Sequence, residues 1–409
     1  MFFELSPEQL KLRDTARQFA EDHLYPLAES VKKTPDPFER ALLARPVFEK
    51  AVAAGFLKGL IPAPFGGSAT NGVDTSMVIE EFACASPDFT ISLAGSTLAM
   101  APVFEAGTPD QIKRFVAPFL ADSGSPVAAM AYSEPGGSAN FDAATPAEGT
   151  RTTAVVDGDH WVLNGEKMWA SHLGGWDGAG PDMMSVVCRT PAGLSIIVVE
   201  REHLSTGFSV LEHLDLPGLK GCLTSRVKFD NVRVPLGNLI GEQGQGADLT
   251  RNAFLASGAS IASFSVAAMR QAFAAAYAFA VREKRGGAVP IIDHQAVADV
   301  LTDCKGKIEA TRLLAWRALD AAASRHPSAL ELALHAKIFG SETAVDVITD
   351  LIKIVGVESY NPQMPLIGYL EDALAYPVIE GSNTGVRRRQ MQQLMRTSEW
   401  NPLLASGLL

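Results

Sequence analysis

The chain has 409 residues, 47% hydrophobic and only 20% charged, which is enough apolar material for a large core spread over two or three domains and excludes a disordered or fibrous protein. Thirty-five Lys and Arg against 46 Asp and Glu leave a formal net charge of −11, so nucleic acid and anionic lipid surfaces are not expected partners. The four cysteines, Cys84, Cys188, Cys222 and Cys304, stand far apart, with no CxxC pair for a metal and no dense disulfide framework; no metal site is expected and a reducing compartment fits.

The first ten residues carry Glu4 and Glu8 and lack the basic start and apolar run of a signal peptide. No stretch reaches the ~18 uninterrupted apolar residues of a membrane span. The most apolar region, Ala253 to Val281, is interrupted by Ser257, Ser260, Ser263, Ser265, Arg270 and Gln271, which suits a helix buried in protein. The expectation is a cytoplasmic protein with no membrane partner.

In chain order, residues 1–125 read as helical. Leu10, Leu12, Ala16 and Phe19 recur near helical spacing, and Ser6-Pro7-Glu8-Gln9 places a capping Ser, an early Pro and a Gln at the third helical position. Asp36 to Ala54 and the segment opening at Pro109 repeat the pattern. Residues 126–242 change texture: Thr152–Val156, His160–Leu163, Met184–Cys188, Leu194–Val199 and Arg226–Phe229 are short and β-branched, separated by Asp-Gly, Asn-Gly and Gly-rich turns, which predicts an antiparallel β-domain. Residues 243–409 return to helix over Leu249–Glu283, His294–Ser324, Ala329–Val355 and about Thr384–Thr397. The fold class is α+β in the order α, β, α.

Hydrolase and nucleotide signatures are absent: there is no GxSxG, no HExxH and no GK[ST] loop. The Gly241-Glu-Gln-Gly-Gln-Gly246 string follows no βαβ unit, so it does not mark a dinucleotide fold. His294 reads as a polar residue at a helix start. Two stretches carry more chemistry. In the first, Tyr132-Ser133-Glu134-Pro135-Gly136-Gly137-Ser138-Ala139-Asn140 is followed by Trp169 and Ser171. Its Gly-rich turn allows backbone amides close to a ligand, its hydroxyls can bond heterocycle edges, and an indole offers a flat wall. A surface turn with a core Trp is the plain alternative. In the second, Tyr376-Pro-Val-Ile-Glu380-Gly-Ser382-Asn-Thr384-Gly-Val-Arg387-Arg-Arg, a lone carboxylate lies between an apolar run and a Gly-rich turn. Partial desolvation there raises proton affinity towards that of a useful base; a helix-capping acid is the alternative, and spacing leaves both open.

Taken together these residues resemble the acyl-CoA dehydrogenase superfamily over essentially the whole chain, through Ser133-Glu134-Pro135, Gly165-Glu166-Lys167-Met168-Trp169, Arg285 with His294-Gln295, and Glu380-Gly381-Ser382. The resemblance implies an N-terminal helical domain, a middle β-domain and a C-terminal four-helix bundle. It also implies FAD as cofactor, shared between subunits of a homotetramer. Within that superfamily the chain is most similar to the nitroalkane oxidases, through Ala139-Asn140, Gly174-Gly175-Trp176-Asp177, Val187-Cys188-Arg189, Asp303-Cys304-Lys305 and Asn383 to Met391. Ser257 stands where CoA-using relatives usually carry an Arg, and Ala139 where they carry a Ser.

The resemblance implies Glu380 as catalytic base, Arg387 as the residue that orients it, and Ser257 near the base or flavin N5. Tyr132, Ser133, Trp169 and Ser171 would contact the isoalloxazine; Arg285, Gln295, Ser382 and Thr384 would serve the pyrophosphate and adenine end. One position departs from the nitroalkane oxidase pattern, which has Asp where this chain has Glu380. The expected function is an FAD-dependent oxidoreductase that removes an acidic α-proton from a small molecule and uses oxygen or an electron-transfer protein as acceptor. An acyl-CoA dehydrogenase forming an α,β-double bond is the second expectation, and a non-catalytic flavoprotein scaffold the third.

Overall fold

The computed structural model describes residues 4–144 and 148–403. Six helices form the first layer: α1 (Pro7–Phe19), α2 (Tyr25–Lys33), α3 (Pro37–Ala53), α4 (Gly72–Ala85), α5 (Pro87–Ala106) and α6 (Pro109–Val116). Their starts are written in the sequence. Ser6 and Gln9 close a reciprocal capping box on α1, Thr108 and Gln111 do the same on α6, and Asp36, Asn71 and Ser86 accept from the first turns of α3, α4 and α5. A cluster including Phe48, Phe56, Phe82, Phe89 and Phe119 is the hydrophobic centre of this layer.

Eight strands follow: β1 (Ala128–Ala131), β2 (Thr153–Asp157), β3 (His160–Lys167), β4 (Met183–Thr190), β5 (Gly193–Glu200), β6 (Phe208–His213), β7 (Ser225–Pro235) and β8 (Leu239–Ile240). They form one sheet in the order β6-β7-β3-β2-β4-β5-β8, with β1 also on β4. The sheet is mixed, which corrects the all-antiparallel expectation: β1 pairs with β4 in parallel through Ala128 and Met183 to Ala131 and Val186, and β2 joins β4 in parallel at Thr153 and Arg189. The cause is the Tyr132–Thr152 excursion. The chain leaves the sheet after β1 and rejoins the same edge of β4 further along, still running in the same direction, so the Gly-rich stretch bulges out of the sheet as a surface loop.

The last layer is helical: α7 (Gly246–Arg282), α8 (Gln295–Ala323), α9 (Ala329–Val355), α10 (Leu366–Ala375) and α11 (Arg388–Met395). The short α10 was not anticipated, and the expected last helix opens with a wide π turn over Asn383–Arg387. By length and composition α5 and α7 are each apolar enough to cross a membrane, but Ile261, Phe264, Val266 and Met269 of α7 are buried inside the bundle. At the start of α7 a Cβ on Gly246 would stand 2.5 Å from the Ser195 backbone nitrogen, so the Gly241–Gly246 string serves close helix-to-strand packing.

Buried charge ties α4 to the bundle. Glu80 takes Arg270 (2.5 Å) from α7 and Arg312 (3.0 Å) from α8, while Glu81 takes Arg17 (3.1 Å) from α1 and Arg270 (3.0 Å). All four cysteines are free and buried.

Candidate active site

Helix α10 ends at Ala375, and the next eight residues form a loop that delivers Glu380. Tyr376 is wholly buried at one end; Asn383, 2% exposed, closes the other by donating its backbone N–H to the Pro377 carbonyl (2.8 Å). Glu380 takes φ +52° and Gly381 φ +79°. A left-handed backbone is uncommon for a side chain like Glu and persists where surrounding structure over-determines it. Here Arg387, itself only 4% exposed, supplies the restraint: its Nε (2.9 Å) and Nη2 (2.5 Å) fork onto the main-chain carbonyl of Glu380, while Nη1 bonds Gln390 and Nη2 also reaches the Phe254 carbonyl (3.3 Å). A Cβ on Gly381 would lie 2.9 Å from the Arg387 Nε, so glycine is required both for its conformation and for this approach.

Glu380 lines a cavity of ≈ 1840 Å³ walled by residues of all three layers. Burial pushes its pKa up, opposed by the Ser257 hydroxyl and by the positive charges of Arg387 and Lys337. Ser257 lies beside the carboxyl, near enough for its hydroxyl to favour the ionised form but outside good hydrogen-bond geometry, so Ser257 Oγ and Glu380 Oε2 are both shielded from solvent and without a well-formed partner. Both residues line the cavity, and two neighbouring buried polar atoms are costly to leave unsatisfied, a cost relieved by a small rotation that pairs them or by a group brought between them.

The excursion from the sheet lines the same cavity. The Tyr132 hydroxyl donates to the Ser138 carbonyl (2.9 Å), and burial pushes its pKa up to about 12, so it stays a donor at neutral pH. Tyr132 meets Phe141 and Phe254 edge to face, at 5.0 and 5.1 Å between ring centroids, and Phe254 lies under the Arg387 guanidinium. Ser133 Oγ is 3.1 Å from Ser138 Oγ. Beneath this loop Lys167, with no exposed surface, donates to the Tyr132 carbonyl (3.1 Å) and to Glu134 (2.9 Å), whose carboxylate also accepts from Thr152 and from the Arg151 backbone. The buried pair therefore holds the ligand-facing loop onto the sheet.

The structure brings Tyr132, Ser133, Trp169, Ser171, Ser257, Glu380 and Ser382 to the walls of the same cavity. Trp169 is 51% exposed with φ +75°, which removes the core-Trp reading. Ser171 contacts Cys222 Sγ at 3.0 Å, and Ser382 caps the following turn by accepting from the Gly385 N–H. Arg285, Gln295 and Thr384 lie outside this lining. Arg285 sits near Glu358 (3.9 Å) and over the Phe279 ring, Gln295 bonds Asp299 (2.7 Å) at the exposed start of α8, and Thr384 is exposed. Arg387 also sits outside the lining, directly behind Glu380.

The arrangement fits FAD. The cavity exceeds the roughly 300–1,000 Å³ of an ordinary small-molecule pocket, leaving room for a large cofactor and a substrate. It offers hydroxyls, an exposed indole and two orphaned polar atoms, and Gly136 and Gly137 leave open space where a Cβ would stand. The sequence reading missed Lys337 and gave no role to Lys167, which it quoted only as part of the Gly165–Trp169 motif. Lys337 was findable: it occupies a buried stripe with Ala333, Gly340, Ser341 and Ala344 on α9, where a lysine is out of place.

The acyl-CoA dehydrogenase family models match by N-terminal domain over residues 6–123, middle domain over 129–232 and C-terminal domain over 244–395. The chain is 38% identical to a nitroalkane oxidase of Podospora anserina, covering 96% of this chain and 95% of that protein. It is 34% identical to one of Fusarium oxysporum (99% and 97%) and 30% identical to a probable acyl-CoA dehydrogenase of Mycobacterium tuberculosis (96% and 97%). Among solved structures, a nitroalkane oxidase in complex with spermine, a competitive inhibitor, superposes with a TM-score of 0.94 at 32% identity, and the Podospora anserina enzyme with 0.93 at 37%; each comparison covers 98% of both chains. The chain belongs to the acyl-CoA dehydrogenase family and is an FAD-dependent oxidoreductase acting on a small molecule.

Proposed function

We propose that this protein is a nitroalkane-oxidase-like flavoenzyme in which Glu380 removes an acidic α-proton and molecular oxygen is the final electron acceptor. The observation that carries this is Glu380 itself: burial raises its proton affinity, Oε2 has no well-formed partner, and the residue lines the same cavity as Tyr132 and Ser133. A base poised in this way accepts a proton from carbon more readily than a solvated carboxylate does. When bound, FAD supplies the redox chemistry, taking the electron pair of the broken C–H bond and delivering it to oxygen.

The chain's own residues do the rest. Arg387 fixes the backbone from which the base projects. Ser257 Oγ is free to bond a substrate or cofactor atom next to the carboxyl. Apolar walls from α4, α5 and α7, including Ile79, Leu98, Phe104 and Phe264, suit an uncharged alkyl substituent. Arg285, Gln295 and Thr384, outside the cavity of their own chain, are assigned to the pyrophosphate and adenine end of FAD contributed across a homotetramer interface.

The second reading is an acyl-CoA dehydrogenase, favoured by Glu rather than Asp at position 380. Against it, the walls carry Ser257 and Ala139 where CoA-using relatives keep Arg and Ser, and the Ala139 carbonyl is capped by Arg389. Anaerobic mixing with nitroethane, 1-nitrohexane and an acyl-CoA panel separates the two. Flavin bleaching by a nitroalkane, with peroxide on admitting oxygen, is the expected result; bleaching only by an acyl-CoA overturns it.

A further inference from the structure

Lys337 lies in the middle of α9 with no exposed surface. A buried ammonium is costly unless its protons are bonded, and this one spends two of them on a single target. Nζ donates to the Tyr376 carbonyl (2.5 Å) and to Asn383 Oδ1 (3.0 Å), the two residues that bracket the loop carrying Glu380. Asn383 cannot turn away. Its Nδ2 donates to Ser341 Oγ (2.9 Å) and Glu342 Oε1 (3.1 Å), which forces Oδ1 towards the lysine. The loop is thus closed from below by α9, just as Arg387 holds its apex. A methionine would fill the same space at lower desolvation cost but would close nothing.

We propose that Lys337 is a positioning residue for the general base: by clasping both ends of the Tyr376–Asn383 loop it holds Glu380 in its left-handed conformation and aims the carboxyl at the reacting carbon. This rests on the assignment of Glu380 as base. The charged groups that face Lys337 are Glu380 and Arg387 from the loop side and Glu342 from α9, the last also engaged by Arg388. Burial, followed by the Arg387 charge, pushes the lysine pKa down to about 7, and its positive charge in turn favours the ionised form of Glu380.

The test uses the full-length FAD-loaded Lys337→Met variant with two readouts. The first is the limiting rate of anaerobic flavin reduction across pH, with whichever substrate bleaches the wild type. The second needs no substrate: the protonated-carboxyl infrared band of Glu380, isolated by difference against Glu380→Gln, is titrated in both proteins. The expected result is retained FAD, a reduction rate lowered on the order of 10²-fold at little change in substrate affinity, and titration of Glu380 displaced to higher pH.

Wild-type reduction and wild-type titration, even with a lower melting temperature, would show a merely structural lysine and overturn the proposal. Should Lys337→Met fail to fold, Asn383→Ala cuts one arm of the clasp and keeps the charge. It is expected to slow reduction while leaving the Glu380 titration closer to wild type, and an unchanged rate overturns the clasp. A wild type that no candidate substrate reduces counts against the oxidase reading alone, because the infrared titration still decides the role of Lys337.

Discussion

Arg387 reaches Glu380 through its main-chain carbonyl, with Nε 2.9 Å and Nη2 2.5 Å from the oxygen, rather than by pairing with the carboxylate. The guanidinium therefore governs where Glu380, the proposed base, stands and leaves its carboxyl oxygens unengaged. A forked, planar donor is what this geometry needs, and lysine cannot reproduce it. Arg387→Lys is expected to keep FAD but slow flavin reduction by about 10²-fold, because a displacement of about an ångström at the base is costly. Rapid-mixing spectroscopy reads this directly, and an unchanged rate would contradict the positioning role.

Burial raises the pKa of Glu380, and in its proposed role as base it works only when ionised. The rate of flavin reduction should therefore rise with pH through an acid limb lying above the ordinary carboxylate range. Ser257→Ala removes one influence that favours the carboxylate, so its limb should lie at higher pH than that of the wild type. A pH profile of single-turnover reduction measures both, and a limb at the solvated-carboxylate position would refute the assignment.

Gly381 combines φ +79° with a contact that leaves no room for a methyl group. Gly381→Ala should cost about 1–3 kcal/mol of local strain and push the Arg387 guanidinium off the carbonyl. The expected phenotype is a loss of reduction rate comparable to Arg387→Lys, with the fold retained by circular dichroism.

Glu80 is a buried carboxylate between Arg270 and Arg312. Removing one member of a buried charge cluster leaves the others uncompensated, typically at about 3–5 kcal/mol. Glu80→Ala should lower the thermal midpoint by several degrees and loosen α4 against the bundle. Differential scanning calorimetry checks the first effect. Glu80→Gln, which keeps hydrogen-bonding capacity, should recover part of the loss.

Much of this molecule could be read along the chain, and the parts that could share a cause. Ser6 with Gln9 and the segment from Ala329 to Val355 are local: capping pairs and helical stripes are decided by neighbours three or four residues apart. The Ser133–Asn140 and Glu380–Arg387 stretches were legible as chemistry because each packs its polar groups into one short segment. The parallel pairing of β1 and β2 on β4 was not legible, since it depends on where a long excursion rejoins the sheet. Nor was α10, a ten-residue helix behind a Pro-rich loop.

The sequence by itself determined the α, β, α order and the helix caps, because each depends on short-range pattern; it singled out Glu380 as candidate base only through the family resemblance of its motif. Only the tertiary structure decided that Lys337, 43 positions before Glu380, lies under its loop, and that Arg387 holds Glu380 by its backbone. It also decided that Ser257 and Glu380 face one cavity with unpaired atoms. These relations depend on burial and on approach between separate elements, and neither quantity exists until the layers have packed.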